Sequence, residues 1–595
     1  MGSHQPFTIK DEPVENLRPL KVRVIGAGYS GIYLGIRIPQ RLRNVDLQIY
    51  EKNEGIGGTW WENSYQYSFD PNPNWSAFYA PAKEICAYMQ SMADKYGAMR
   101  YVKLSHKVTS CAWNDSTKKW NITVENTKTG EVTEDDADVL LSARGNLNDI
   151  AWPKIPGFET FKGEVMHSAA WNQKLVVRPA VLARSNVCRY DFENKRIGVI
   201  GGGSSSIQIV PNLQKVKGTQ LTCFVRSRTW ISNPFGDTSM IRLGLDPKQL
   251  NCVSHLRNSF NLLTRLVSPE QREEFASDPE KFLSFRKAIE EDGNIAHGVT
   301  FKDSEMQKGA VEAFRAMMKE RLAKKPEIVD ALTPSFAVGC RRLTPGPGYL
   351  EALVEDNVEF VSDKISSITP SGVVLESGRT VEIDALVCAT GFNTSKPPPF
   401  HVFGKHGLSL QQRFTPHPET YLTMAVDGFP NFFMMLGPNS AIGSGSLTMM
   451  IETEGDYIIK CIRKLQKEDY ASMMPKSARV QDFTDYCNEY FKGTVYMDEC
   501  NSWYRSEGGN GNRITGLWPG STLHCLETLR APRWEDFDFE SKDENRLRWM
   551  GNGWSVTQLE GGGDPAWYLE PGFFNVPVPG KPEEDQEFKR RPYSN

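Results

Sequence analysis

From Lys21 the chain reads KVRVI, a short run rich in β-branched residues, then the glycine-rich GAGYSG, then IYLGIRI with apolar residues at helical spacing. A compact apolar run predicts a buried strand, and the 3.6-residue period that follows predicts a helix lying on it. Asp46 to Tyr50 predicts the next strand. The same order returns at Lys195 to Ser206, KRIGVIGGGSSS, followed by the strand QLTCFV that ends at Arg226. Between the two copies, residues 107–143 alternate polar and apolar positions in three runs separated by turns, which predicts a small antiparallel meander. Its last run leads back to the first copy at Ala143-Arg144-Gly145. The stretch 245–332 is charged and Met-rich. Val311, Phe314, Met318 and Leu322 predict one apolar helix face there, with Asp303 or Ser304 as its cap. From Val358 to Leu386 strands return, with a hairpin at Glu376-Ser377-Gly378, and Met449 to Leu465 predicts a further helix.

This pattern predicts an α/β chain with two Rossmann-like dinucleotide-binding domains and a helical insertion. The first domain is expected over 21–150 and 382–535, and the second over 151–381 with its insertion at about 245–332. Residues 1–20 read as a loose arm and 536–595 as an irregular tail. At 595 residues, 39% hydrophobic and 24% charged, the chain is long enough for two or three domains of ordinary globular composition. A formal charge of −4, spread along the chain, provides no basic face for nucleic acid or anionic lipid. No segment reaches the length of a membrane span. Eleven scattered cysteines, without C-x-x-C or zinc spacing, suit a reducing cytoplasmic setting and indicate no metal site.

The two glycine-rich turns carry the first chemistry. Gly26-x-Gly28-x-x-Gly31, between a strand and a helix, permits a tight turn, close approach of backbone to a pyrophosphate, and close helix–strand packing. The helix N-terminus then faces the phosphates. In the second copy, Gly201-x-Gly203-x-x-Ser206 replaces the third glycine by another small residue, and Ser204 and Ser205 open its helix. Glu51 lies 25 residues after Gly26, and Arg226 lies 25 residues after Gly201. One structural slot thus holds an acid in the first copy and a base in the second. An acid there accepts from a free ribose 2′-hydroxyl, whereas an arginine accommodates a 2′-phosphate. The first site accordingly suits FAD and the second NADPH, with Ser227 as a further phosphate contact.

Phe161 to Trp171, FKGEVMHSAAW, lies between the two copies and reads F-x-G-x-x-x-H-x-x-x-W. If helical, it would place His167 and Trp171 on one face. Phe161, Gly163, His167 and Trp171 resemble the fingerprint of the Baeyer–Villiger monooxygenases, flavoproteins that insert an oxygen atom next to a ketone carbonyl. The resemblance spans roughly residues 20–530. It implies FAD and NADPH as cofactors, O2 as co-substrate and a small-molecule ketone as substrate. Gly58, Thr59, Trp60, Gly391 and Asn439 are implied on the FAD side, and the fingerprint is implied to serve as an interdomain hinge. In GCRRLTPGPGYLEAL the resemblance makes Arg341 a ligand of the NADP 2′-phosphate and Arg342 the catalytic cation over the flavin; Trp503 is implied near the nicotinamide ribose. A guanidinium stays charged at any working pH. It therefore keeps an oxygen nucleophile anionic without protonating it, and stabilises the oxyanion formed when that nucleophile adds to a ketone. The wording of the arginine segment is most similar to fungal members acting on polyketide or terpenoid ketones.

Two departures stand beside this likeness. The segment after Asn63 is shorter than the family pattern and lacks its Tyr-Pro-Gly and following acid. Leu175 to Arg189, without a single acid, is extra. They leave open an N- or S-oxygenating enzyme, an NADPH oxidase that releases peroxide, or an inactive homologue.

Overall fold

The computed structural model describes residues 7–14, 17–58, 66–77, 80–171, 190–232, 267–394, 397–509, 511–559 and 564–569. Thr59 and Trp60, the point of shortening just after Asn63 (through Tyr65) and the extra Leu175–Arg189 stretch lie outside the described residues, as do 245–266 of the insertion.

The first unit begins with β1 (Leu20–Ile25), α1 (Tyr29–Arg41) and β2 (Val45–Tyr50), followed by α2 (Ala82–Lys95) and the short β3 (Val102–Lys103). The meander follows as β4 (His106–Asn114), β5 (Lys119–Asn126) and β6 (Val132–Ala137), and β7 (Val139–Ser142) re-enters the first sheet. β7 is buried at all four positions because it lies inside a parallel sheet, which is why its sequence is apolar without alternation.

The second unit contains β8 (Glu164–His167), β9 (Arg196–Ile200), α3 (Ser204–Gln214), β10 (Gln220–Phe224) and β11 (Ile231–Ser232). It continues with β12 (Thr344–Pro345), β13 (Val358–Val361), the β14 (Ile365–Thr369), β15 (Gly372–Leu375), β16 (Thr380–Glu382) meander, and β17 (Ala385–Cys388). Beyond it, β18 (His401–Phe403) joins β4, β19 (Phe432–Met434) joins β7, and β20 (Tyr470–Pro475) pairs with β21 (Phe537–Ser541). The two main sheets are parallel, with strand orders β19-β7-β1-β2-β3 and β13-β10-β9-β17-β8. Two doubly wound sheets, with their helices and one antiparallel meander each, form the architecture that the doubled pattern predicted.

The helical option left open for the fingerprint does not hold through His167: β8 carries Glu164–His167 as an edge strand against β17, since Val165 and Met166 alternate into a sheet. Three expectations are corrected. The boundary at 381/382 falls too early, because β17 pairs with β9 and β8 inside the second sheet and the chain crosses back only after Cys388. The start of the tail is ordered, since β21 pairs with β20. The arm is tied down as well: Lys10 pairs with Asp469 at 2.9 Å, and Val14 and Glu12 bond the backbone at Trp554 and Asn552.

In the helical insertion, Ser304 caps the helix Glu305–Arg321 by accepting from Gln307 N, and Met318 and Leu322 are fully buried. The long helix Leu447–Lys467 packs on α1. A Cβ on Gly455 would lie 2.5 Å from the Tyr33 ring, so glycine is what admits that ring to the contact. No described helix is long and apolar enough to cross a membrane.

Candidate active site

All strands of the first sheet run parallel, so their carboxyl ends share one edge. That edge carries the Gly26 turn after β1, Glu51 after β2, Ala143-Arg144 after β7, and Leu436–Ser440 after β19. This is the edge on which open α/β sheets bind nucleotides. A Cβ on Gly31 would lie 2.0 Å from the Gly26 carbonyl oxygen, which shows how closely α1 approaches the turn. Gly26, at φ +104°, faces the Ala143 carbonyl oxygen, 2.7 Å from where its Cβ would stand. Gly28 abuts Gly58, and a Cβ on Gly58 would sit 3.1 Å from the Gly28 Cα. The two glycines thus leave a bare backbone cradle at the start of a helix whose cap residue, Gly28, has no side chain to occupy the first-turn N–H groups. Glu51 is buried and accepts from Ala27 N at 2.8 Å and from Asn53 N at 2.9 Å. Its carboxylate therefore fixes the turn, and each oxygen retains a second lone pair for a ribose hydroxyl.

On the second sheet the corresponding edge carries Gly201 and Arg226. Gly201, at φ +127°, has the Ala389 carbonyl oxygen 2.4 Å from the place of a Cβ, whereas Gly203 faces open space. Ser204 Oγ is 2.6 Å from Thr344 Oγ1, so its hydroxyl ties α3 to the arginine segment. Ser205 is half-buried on the same turn, and Ser206 is buried in the position of the third glycine. Arg226 is exposed beyond β10, and the Ser227 carbonyl backs onto Gly202. Arg341 donates to the Arg228 carbonyl at 3.1 Å. Burial, with repulsion from Arg226, lowers the pKa of Arg341. Two guanidiniums that repel each other at a nucleotide turn are relieved by a bound phosphate dianion. The residues present fit FAD on the first edge and NADP on the second.

The Gly339–Thr344 segment bridges the two units. From the insertion, Gln307 Nε2 donates to the Val338 carbonyl at 2.8 Å, and Val338 N donates back to Gln307 Oε1. Asp498 accepts from Ala337 N at 2.9 Å. Cys340 and Cys500 form a disulfide across 160 residues, a pairing that the scattered cysteines did not announce; the other described cysteines are free. β12, two residues past Arg342, pairs with β11. Arg341 and Arg342 are thereby held to the second nucleotide turn on one side and to the Cys500–Tyr504 segment on the other. Trp503 is half-buried there, with its ring 4.7 Å from that of Tyr504.

The fingerprint lies elsewhere. Phe161 packs in a small core with Phe224 and Leu386, and a Cβ on Gly163 would meet the Asp384 carbonyl oxygen at 2.4 Å. His167 is fully buried between Trp152 and Phe392, at 5.3 and 6.2 Å between ring centres, and burial lowers its pKa. Ile150 and Phe392 bridge antiparallel, and Ala151 N bonds the Gly391 carbonyl. His167 thus sits where the two crossings between units run side by side, and Gly391 is part of that crossing. Trp171 stands edge-on to Phe192, 6.2 Å away, at the second core. Asn439, at φ +62°, is buried and donates its side-chain NH2 to the Ile514 and Leu517 carbonyls and its backbone N–H to the Thr515 carbonyl, so it offers a ligand acceptors but no free donor. Sequence reasoning missed Glu454. It is fully buried and accepts from Thr423 Oγ1 at 2.9 Å and Leu436 N at 2.8 Å, which fixes the chain leading to Gly437–Ser440. Nothing local in the helical wording around it marks it as buried.

Two nucleotide edges, one with an acid and one with a base, joined by an arginine-bearing segment, define an NADPH-linked flavoprotein of the two-dinucleotide-domain class. Comparison with known proteins agrees. The flavin-binding monooxygenase-like family model matches residues 62–241. The chain is 35% identical over 568 residues to the FAD-binding monooxygenase tazF of Aspergillus terreus, covering 93% of this chain and 95% of that protein. It is 29% identical to a Baeyer–Villiger monooxygenase of Pseudomonas aeruginosa, covering 85% and 88%. Among solved structures, a closed cyclohexanone monooxygenase superimposes with a TM-score of 0.70 at 25% identity, covering 88% of this chain and 99% of that one. The chain belongs to the FAD-binding monooxygenase family that includes the Baeyer–Villiger enzymes, and it is a flavin-dependent NADPH monooxygenase.

Proposed function

We propose that this chain is a Baeyer–Villiger monooxygenase that converts a ketone, a bulky polyketide or terpenoid of secondary metabolism, into an ester or lactone with O2 and NADPH. The observation that carries this reading is the double-ended anchoring of the Arg341–Arg342 pair. Arg341 is crowded against Arg226, which matches a partner for the NADP 2′-phosphate. Arg342, its neighbour in sequence, stands on the bridge toward the flavin unit. When bound, FAD supplies the two-electron chemistry that activates O2. The chain's part is to position the nucleotides, to present a permanent cation to the developing oxyanion of the ketone adduct, and to exclude proton donors from it. The relatives tazF and moxY, the latter from Dothistroma septosporum, are FAD-binding monooxygenases that each match more than nine-tenths of this chain, and they support the flavin-dependent part of the reading; the ketone class rests on the wording of the arginine segment.

The test is aerobic turnover of a ketone panel with NADPH, with product analysed for one atom of labelled oxygen. Arg342→Ala should abolish ester formation and leave anaerobic bleaching of the flavin by NADPH intact. Retained ester synthesis in that variant refutes the assignment of Arg342. Oxygenation of amines or sulfides with no ester from any ketone refutes the Baeyer–Villiger reading itself.

A further inference from the structure

One half-buried cation on the first edge has no role in the site as described so far. Arg144 is the second residue past β7, at the carboxyl edge of the first sheet, and its Cα lies 3.2 Å from where a Cβ on Gly26 would stand. The turn that carries it is fixed: Asn148 Nδ2 donates to the Arg144 carbonyl at 2.6 Å, and Asn146 Nδ2 donates to the Leu436 carbonyl at 2.9 Å. The guanidinium makes no hydrogen bond or ion pair among the described residues, and Asp149 attracts it only from a distance. Its pKa is pushed down to about 10 by burial, against the pull of Asp149. A half-buried guanidinium with no protein partner among the described residues, standing at a turn that binds phosphates, is placed to meet an anion from solvent.

Strand order says which anion. Reading along the edge, Glu51 follows β2, the bare glycine cradle follows β1, and Arg144 follows β7, the next strand over. With the ribose end of FAD at Glu51 and its diphosphate over the Gly26–Gly31 turn, Arg144 is on the far side of that turn from the acid. We propose that Arg144 is a further cofactor-binding residue, a cation that takes the diphosphate of FAD from the side of the cradle opposite Glu51. The glycine turn supplies backbone N–H donors, and Arg144 supplies the side-chain charge that no glycine can. Its planar fork suits two phosphate oxygens at once.

The experiment uses the purified holoenzyme and measures the rate of FAD release on dilution, by flavin fluorescence, in Arg144→Met and Arg144→Lys. The midpoint potential of the bound flavin and the KM for NADPH are measured alongside. Loss of one or two charge-assisted hydrogen bonds should weaken FAD retention on the order of 10- to 100-fold in the Met variant. The Lys variant should be intermediate, and potential and NADPH KM should be unchanged. FAD release at the wild-type rate in both variants overturns the proposal. So does a changed potential with unchanged release, which would place the cation on the flavin ring, or a raised NADPH KM alone, which would place it on the other nucleotide. If Arg144→Met does not fold, Arg144→Lys alone decides, since it keeps charge and length but not the fork. Wild-type protein that holds no FAD would refute the flavoprotein assignment instead.

Discussion

Replacing Glu454 by Gln tests whether the chain next to the flavin edge is held by a carboxyl that titrates near neutrality. Glu454 is fully buried in the helix Leu447–Lys467, and desolvation raises its pKa from 4.5 to about 7, against the hydrogen bonds from Leu436 N and Thr423 Oγ1. The fold therefore holds the proton more tightly than the unfolded chain does. The stability this confers is fully present below about pH 4.5 and is lost as pH rises through about 7. The displacement from 4.5 to about 7 corresponds to roughly 3 kcal/mol. Gln is nearly isosteric: its carbonyl oxygen can accept from Leu436 N, and its amide can donate to the Thr423 hydroxyl, which is free to turn. The assay is thermal release of the bound flavin between pH 5 and 8, followed by fluorescence. The native chain should lose several degrees across that range, whereas Glu454→Gln should give a flat profile and exceed the native chain at pH 8. Parallel profiles for the two would mean that the carboxyl does not titrate in the folded protein, and the burial argument would fail.

Three further outcomes are expected. Gly31→Ala puts a methyl 2.0 Å from the Gly26 carbonyl oxygen, so α1 and the turn must part by about 1.4 Å to reach ordinary contact. Overpacking of that kind costs about 1–3 kcal/mol, and the variant should purify with little FAD; full flavin content would show that the turn yields freely. Arg226→Ala should raise the KM for NADPH about 10-fold or more and leave that for NADH nearly unchanged, the value of a charge-assisted phosphate contact of about 1.5–3 kcal/mol; equal effects on the two would assign the 2′-phosphate elsewhere. The disulfide Cys340–Cys500 closes a chain of 160 residues. Loop-closure entropy sets an upper bound of about 5 kcal/mol on what it stabilises. Serine at both positions should lower the melting temperature and the coupling of NADPH use to oxygenated product while leaving flavin reduction intact, because the bond joins the arginine segment to that of Trp503. Unchanged coupling would make it a structural staple only.

The doubled glycine turns, Glu51 against Arg226, and the meander between the copies were written locally, in periodicity and in fixed offsets within one strand–turn–helix unit. Such features are legible because a parallel strand buried on both faces must be apolar throughout, and because a turn that admits a phosphate must lack side chains. What tertiary structure decided was partnership at long range. β17 reads as a strand from its sequence, but only its pairing with β9 and β8 assigns it to the second sheet. Asn439 reads as a flavin neighbour, but the folded chain commits its amide to the Ile514 and Leu517 carbonyls. Cys340 meets Cys500 from 160 residues away, Glu454 becomes a buried carboxyl only when distant segments close over it, and Arg144 is half-covered in the same way. The sequence by itself determined the two nucleotide-binding units and the sign of charge at each ribose slot, since those depend on residues a few turns apart. The bridge that carries Arg342 between the units, and the ionisable groups packed around the flavin edge, arise from contacts between residues far apart in the chain, for which no local spacing is diagnostic.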